Sequence, residues 1–196
     1  VSEPSQAEFR QSKDSDIFIS EMSENDAAIK HADRIRLISL GNLYHNILQN
    51  VNTIDDLHPA IMRLDSRGCF ERLAERDDTE QFLRSLIENV SKKHPEWFST
   101  DWLPMNERTI MFPSADGNTF STNRPDRVVV KGDSAIVIDY KTAKGVAVTR
   151  PDGSVSAPNK NIQQVEHYCE LMRQLGFNTV KGYLWYILDD IVFEVE

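Results

Sequence analysis

Hydrophobic positions change their spacing about halfway along this chain. From Arg36 to Val51, the residues Leu37, Leu40, Tyr44, Ile47, Leu48 and Val51 recur at steps of three and four, the repeat of an amphipathic helix. Ile54 to Leu64 reads as a second helix that ends near Gly68. Thr79 to Lys92 reads as a third, with Phe82, Leu83, Leu86, Ile87 and Val90 on one side and Pro95 beyond its end. After Trp102 the pattern becomes strand-like. Glu107 to Phe112 is the first expected strand and Ser114 to Asn118 a turn. Phe120 to Val130 and Ala135 to Lys141 are two more strands, joined tightly at Lys131-Gly132-Asp133-Ser134. Residues 142–160 read as a loop holding a small hairpin around Asp152-Gly153. Asn161 to Leu175 returns to helical spacing, with Gly176 placed to cap it. Val180 to Leu188 and Ile191 to Val195 then form a hairpin across Asp189-Asp190. The expected order is helices followed by β-β-β-α-β-β, an α/β fold with a mixed sheet. Residues 1–16 are polar and without period, and read as an arm or linker.

One strand pair breaks the apolar pattern. In PDRVVVKGDSAIVIDYK, Pro125 to Lys141, two carboxylates and a lysine stand among Val and Ile. Side chains alternate along a strand, so Asp139 and Lys141 share a face with Val137, while Ile136, Ile138 and Tyr140 face the other way. Unpaired buried charge is costly. Asp139 and Lys141 therefore form either a salt bridge at an exposed edge or part of a site. The short turn makes the two strands antiparallel neighbours, so Asp126 and Asp139 can meet around one hard cation, which prefers oxygen ligands. Neutralisation of Asp126 by Arg124 or Arg127 is the plainer alternative.

Composition narrows the classes. The chain has 196 residues, 40% hydrophobic and 27% charged, as soluble globular proteins do. No apolar run is long enough to span a bilayer, and no signal peptide opens the sequence. Two isolated cysteines, Cys69 and Cys169, make neither a disulfide framework nor a zinc or iron–sulfur site, and a reducing cytoplasm is expected. The net charge of −9 argues mildly against nucleic-acid binding, but it is uneven. From Arg124 to Lys181 there are 9 Lys+Arg against 6 Asp+Glu, a local +3, which leaves −12 for the remainder. No Gly-x-x-x-x-Gly-Lys-Ser/Thr loop occurs, so no ATP site is visible.

Pro125-Asp126, twelve intervening residues, then Asp139-Tyr140-Lys141 resembles the motif of the PD-(D/E)xK nucleases. Gln164 and Tyr168 supply a Gln-x-x-x-Tyr pair on the following helix. Leu40-Gly41-Asn42-Leu43-Tyr44-His45 resembles the Gly-x-x-x-His helix of RecB-type nucleases. The likeness covers roughly residues 36–188, in the family's order. It implies a restriction-endonuclease-like α/β core with a mixed central sheet, preceded by a helical region. In these terms 17–102 is the helical part and 103–196 the catalytic core of one domain.

The same resemblance assigns His45, Asp126, Asp139 and the Tyr140 backbone carbonyl to a Mg²⁺ or Mn²⁺ ion. Lys141 becomes the catalytic lysine, and Gln164 and Tyr168 orient it or touch substrate phosphate. Glu107 falls where the family often has a glutamate opening the first strand. The iron–sulfur cysteines of some relatives are absent. The implied activity is a metal-dependent deoxyribonuclease, an exonuclease at the C-terminus of a RecB- or AddA-like helicase–nuclease. Such a domain sits behind a UvrD/Rep-type motor in the bacterial cytoplasm and serves double-strand-break repair and recombination. DNA, the upstream helicase domain and a second helicase–nuclease subunit are the implied partners, with no membrane. The initial Val and the polar start fit a fragment. The alternatives are a degenerate nuclease fold that binds DNA or docks without cutting, and a stand-alone restriction or phage-type nuclease.

Other features have ordinary explanations. Ile162, Val165, Cys169 and Met172 make a buried stripe, which places Cys169 in the core. Trp97, Trp102 and Trp185 can stack bases, though packing explains them as well. His31, His58, His94 and His167 have no matching partners in sequence.

Overall fold

A computed structural model describes residues 39–113, 120–150 and 153–195. Residues 39–48 are helical (α1). A 3₁₀ turn at Ile54–Asp56 leads into α2, Leu57–Asp65. Helix α3 spans Leu73–Lys93, and a second 3₁₀ turn, Pro95–Phe98, follows it. Then come β1 (Leu103–Asn106), β2 (Ile110–Pro113), β3 (Phe120–Asn123), β4 (Arg127–Lys131) and β5 (Ser134–Lys141). The chain continues through β6 (Val148–Thr149), β7 (Val155–Ser156), α4 (Asn159–Gln174), β8 (Thr179–Tyr186) and β9 (Ile191–Val195). Among the described residues no helix is long and apolar enough to cross a membrane.

The central sheet has five strands in the order β1-β4-β5-β8-β9. β4 runs antiparallel to β5 through the turn at Gly132, whose φ of 59° suits glycine. β8 lies parallel to β5, which requires a crossover, and α4 provides it. The sheet is therefore mixed, as expected. The hairpins β2–β3 and β6–β7 stand apart as two-stranded sheets.

Alternation along β5 divides the core in two. Ile136, Ile138 and Tyr140 join α1, α2, α3, Trp97 and Trp185 in the cluster on one face. Ala135 and Val137 join Val165, Cys169 and Met172 of α4 on the other. Each face buries an apolar stripe against helices, the usual solution for an α/β sheet. Trp97 and Trp185 are fully buried and Trp102 packs against the same cluster, so Trp97 and Trp185 serve packing rather than base stacking.

Three expected elements differ. The strand expected over Glu107 to Phe112 begins only at Ile110, as β2; an earlier strand, β1, ends at Asn106, and Glu107 lies in the turn between them at a φ of 52°. The strand expected over Phe120 to Val130 breaks at Arg124-Pro125-Asp126, where proline offers no N–H to a ladder. Helix α3 begins at Leu73 rather than Thr79; its first turns are solvent-facing and carry no apolar stripe for hydrophobic spacing to reveal. The arm at 1–16, the turn at 114–118 and Asp152 lie outside the described residues.

Candidate active site

Lys141 closes β5 on the face that meets α4. Its Nζ lies 2.9 Å from Asp139 Oδ2, two positions earlier on the same face. The ammonium also donates a hydrogen bond to Gln164 Oε1 at 2.9 Å, and Gln164 Nε2 donates to the Tyr168 hydroxyl at 3.1 Å. The i, i+4 spacing of Gln164 and Tyr168 places both on one side of α4. Asp139, Lys141, Gln164 and Tyr168 thus form one continuous polar line between strand and helix. The Asp139–Lys141 pair is buried, with side-chain exposures of 4% and 16%, so it is not an exposed edge bridge.

Asp126 reaches the same place from the neighbouring strand. The antiparallel register pairs Arg127 with Ile138, so Asp126 comes level with Asp139 one residue further on. Its Oδ2 accepts a hydrogen bond from the Tyr140 backbone N–H at 2.6 Å. Its Oδ1 lies 3.4 Å from His45 Nδ1 on α1. The Glu107 backbone N–H donates to the Asp126 carbonyl at 2.9 Å, and the Glu107 carboxylate lies in the same cluster. His45, Glu107 and Asp126 each offer a ligand atom, all within 4.8 Å of one another. Asp139 stands beside this trio rather than in it.

The arginines do not neutralise Asp126. Arg124 pairs with Glu107 at 2.8 Å. Arg127 turns to the opposite face, as alternation demands of the next residue, and bonds carbonyls of the helical region.

Crowded carboxylates shift the titration of the site. Burial, reinforced by the charge of Asp126, pushes the Asp139 carboxyl up to about 6, against the pull of Lys141. Burial, with Asp126 again adding, also raises Glu107. For His45, burial pulls downward, but the hydrogen bond and charge of Asp126, with Asp139 and Glu107, outweigh it and raise the imidazole. Burial likewise works against the Lys141 ammonium, and the adjacent Asp139 charge outweighs it. Asp139 Oδ2 is buried and has the Lys141 ammonium 2.9 Å away as its partner. Concentrated negative charge and one imidazole, with ligand atoms of His45, Glu107 and Asp126 within 4.8 Å of one another, suit a hard divalent cation such as Mg²⁺ or Mn²⁺.

Every residue singled out in the sequence therefore reaches one region: His45, Asp126, Asp139, Tyr140, Lys141, Gln164 and Tyr168. Tyr140 supplies a backbone N–H to Asp126 while its ring packs in the core beside His45, 5.7 Å between centroids. Glu107 belongs to the region through a left-handed turn after β1, not as the opening of a strand. The family resemblance points to Glu107, but as the opening of a strand rather than as a turn residue.

A family model described as the PD-(D/E)XK nuclease superfamily matches residues 22–192. No curated protein matches the chain.

Proposed function

The chain belongs to the PD-(D/E)XK nuclease superfamily, and from that premise we propose that it is a Mg²⁺- or Mn²⁺-dependent deoxyribonuclease. The observation that carries this reading is the convergence of His45, Glu107 and Asp126 beside the buried Asp139–Lys141 pair.

His45, Asp126, Asp139 and the Tyr140 carbonyl would hold the metal, with Glu107 as a further oxygen donor. A bound divalent ion polarises a phosphoryl oxygen and acidifies water. The chain's own residues do the rest. Asp139 and Gln164 keep the Lys141 ammonium charged and fixed, ready to stabilise charge that develops on phosphate. Tyr168 holds Gln164 in turn. The Tyr140 N–H fixes the carboxylate plane of Asp126 so that its other oxygen faces His45.

Within this reading the domain spans 17–196, with its helical part at 17–102 and its catalytic core at 103–196. It acts as an exonuclease in a RecB- or AddA-like helicase–nuclease of the cytoplasm, engaged in double-strand-break repair and recombination. DNA is the substrate, and an upstream motor and a second subunit are the partners. The support is the Gly41…His45 helix set against Asp126, which matches the RecB-type pattern.

A gel assay on end-labelled linear and on circular DNA, with Mn²⁺, with Mg²⁺ and with chelator, tests it. Metal-dependent shortening of linear DNA alone is expected, lost in His45→Ala and Asp139→Ala. Cutting of circular DNA overturns the exonuclease assignment. DNA binding without cutting under any metal overturns the enzyme and leaves a docking module.

A further inference from the structure

Gly41 lies within α1, where glycine is a poor choice because it adds backbone entropy and no packing. Its backbone does not require glycine, since φ is not in the left-handed region. The reason lies across the contact. A Cβ at position 41 would fall 2.5 Å from Thr142 Oγ1, 3.2 Å from Thr142 Cβ and 3.5 Å from Thr142 Cγ2.

Thr142 directly follows Lys141 and has little freedom to retreat. The Lys141 carbonyl accepts a hydrogen bond from the Ile187 N–H at 2.9 Å, which keeps the strand end on the sheet. Threonine is branched at Cβ and stiff about χ1. Rotation would remove Oγ1 from the clash, but it cannot move Cβ, which is itself too near. The helix is the element that must give. His45 is four residues on from Gly41, one turn along the same side of α1. Displacement of α1 from Thr142 therefore carries the imidazole away from Asp126, now 3.4 Å distant, and from the Tyr140 ring.

We infer that Gly41 is a positioning residue: its missing side chain lets α1 come close enough to Thr142 for His45 to stand 3.4 Å from Asp126. The role rests on the proposed reading of His45 as a metal ligand. Helix propensity alone makes the opposite forecast, because Ala is a better helix former than Gly.

The test uses the whole chain with four variants: Gly41→Ala, Thr142→Gly, the double Gly41→Ala/Thr142→Gly, and His45→Ala. Two readouts are taken. One is Mn²⁺ affinity by calorimetry. The other, without metal, is the nuclear Overhauser contact between the His45 and Tyr140 rings. Gly41→Ala should weaken Mn²⁺ binding by about 10-fold or more, the range for partners that orient a ligand, and should weaken the ring contact. Thr142→Gly, which removes the Cβ that an alanine at position 41 would meet at 3.2 Å, should alone bind as wild type, and the double variant should recover both readouts. If Gly41→Ala keeps affinity and ring contact while His45→Ala loses Mn²⁺, the positioning role is wrong and the metal assignment stands. If His45→Ala binds Mn²⁺ as wild type, the metal assignment falls, and the ring contact still reports on Gly41. Should Gly41→Ala fail to fold, the double variant decides: recovery of fold and ring contact upholds the inference, and failure overturns it.

Discussion

Gln164 holds Lys141 from across the sheet–helix boundary, its amide oxygen accepting a hydrogen bond from the ammonium at 2.9 Å. Gln164 does not belong to the carboxylate–imidazole cluster, so it separates positioning of the lysine from metal binding. Gln164→Leu should leave Mn²⁺ affinity near wild type and slow single-turnover cleavage by about tenfold, the worth of one hydrogen bond to a charged group. A variant that cuts at the wild-type rate would show that Asp139 alone orients Lys141.

Removal of the lysine and removal of its carboxylate partner should differ in kind. Lys141→Ala takes a positive charge from beside the cluster, so Mn²⁺ should bind as well or more tightly. Cleavage should nevertheless fall by about 10²-fold or more, as when one preorganised charge is lost from a transition state. Asp139→Ala removes an oxygen donor, and metal and activity should go together. Lys141→Arg should restore only part of the rate, since a planar fork does not replace a compact ammonium. Paired calorimetry and rate measurement on the three variants reads this. Wild-type cleavage by Lys141→Ala would reduce the Asp139–Lys141 contact to a structural ion pair.

The raised Asp139 carboxyl makes a prediction about pH. Its ordinary value is 3.8, and in the fold burial and Asp126 push it to about 6. Between those values the folded metal-free protein keeps a proton that the unfolded chain has released. This group's contribution to stability is therefore full below 3.8 and is lost as pH rises through about 6. A cation needs the ionised carboxylate, so metal binding competes with that proton. The rise in Tm on adding Mn²⁺ should grow between about pH 5 and about pH 7, and Asp139→Asn should flatten the metal-free slope. A Mn²⁺ effect that is constant over this range would mean that Asp139 is not a ligand.

Much of the site was legible because strands and helices repeat. Period two put Asp139 and Lys141 on one face, and the short turn brought Asp126 level with Asp139. Period 3.6 put Gln164 and Tyr168 together on α4. Two things were not legible, each for a reason of tertiary contact. Glu107 arrives through a left-handed turn that no alternation rule foresees. Gly41 reads as the first residue of a Gly-x-x-x-His motif, but why it is glycine emerges only from Thr142 Oγ1, 2.5 Å from its missing Cβ. The break at Pro125 was readable from its absent N–H, yet the apolar run through β4 concealed it.

Arg127 illustrates the same limit and yields the last prediction. By sequence it is the nearest counter-charge to Asp126, but the strand turns it to the other face, where it is 1% exposed. Its guanidinium donates to the carbonyls of Trp97 at 2.9 Å, Val51 at 2.6 Å and Asn52 at 2.8 Å, and to Asn106 Oδ1 at 3.2 Å. It also lies 4.3 Å from the centre of the Phe98 ring. These partners come from the chain after α1, the turn after α3, and β1. One buried fork therefore ties the helical region to the strand that follows Asp126. Lysine has too few donors, in the wrong geometry, to reproduce it. Arg127→Met strands the two buried carbonyls of Trp97 and Val51 and the partly buried one of Asn52, and should cost roughly 3–5 kcal/mol, as the breaking of a buried charged network does. Arg127→Lys should cost less, about 1–3 kcal/mol, since a charge remains but partners are lost. Because the tie runs to the segment that α1 leads into, both variants should also weaken Mn²⁺ binding, although neither touches the cluster. Urea unfolding with calorimetry on both variants checks this. A loss below about 1 kcal/mol in Arg127→Met, within the range of an ordinary surface change, would mean that water replaces the fork and that the helical region is held by its apolar cluster alone.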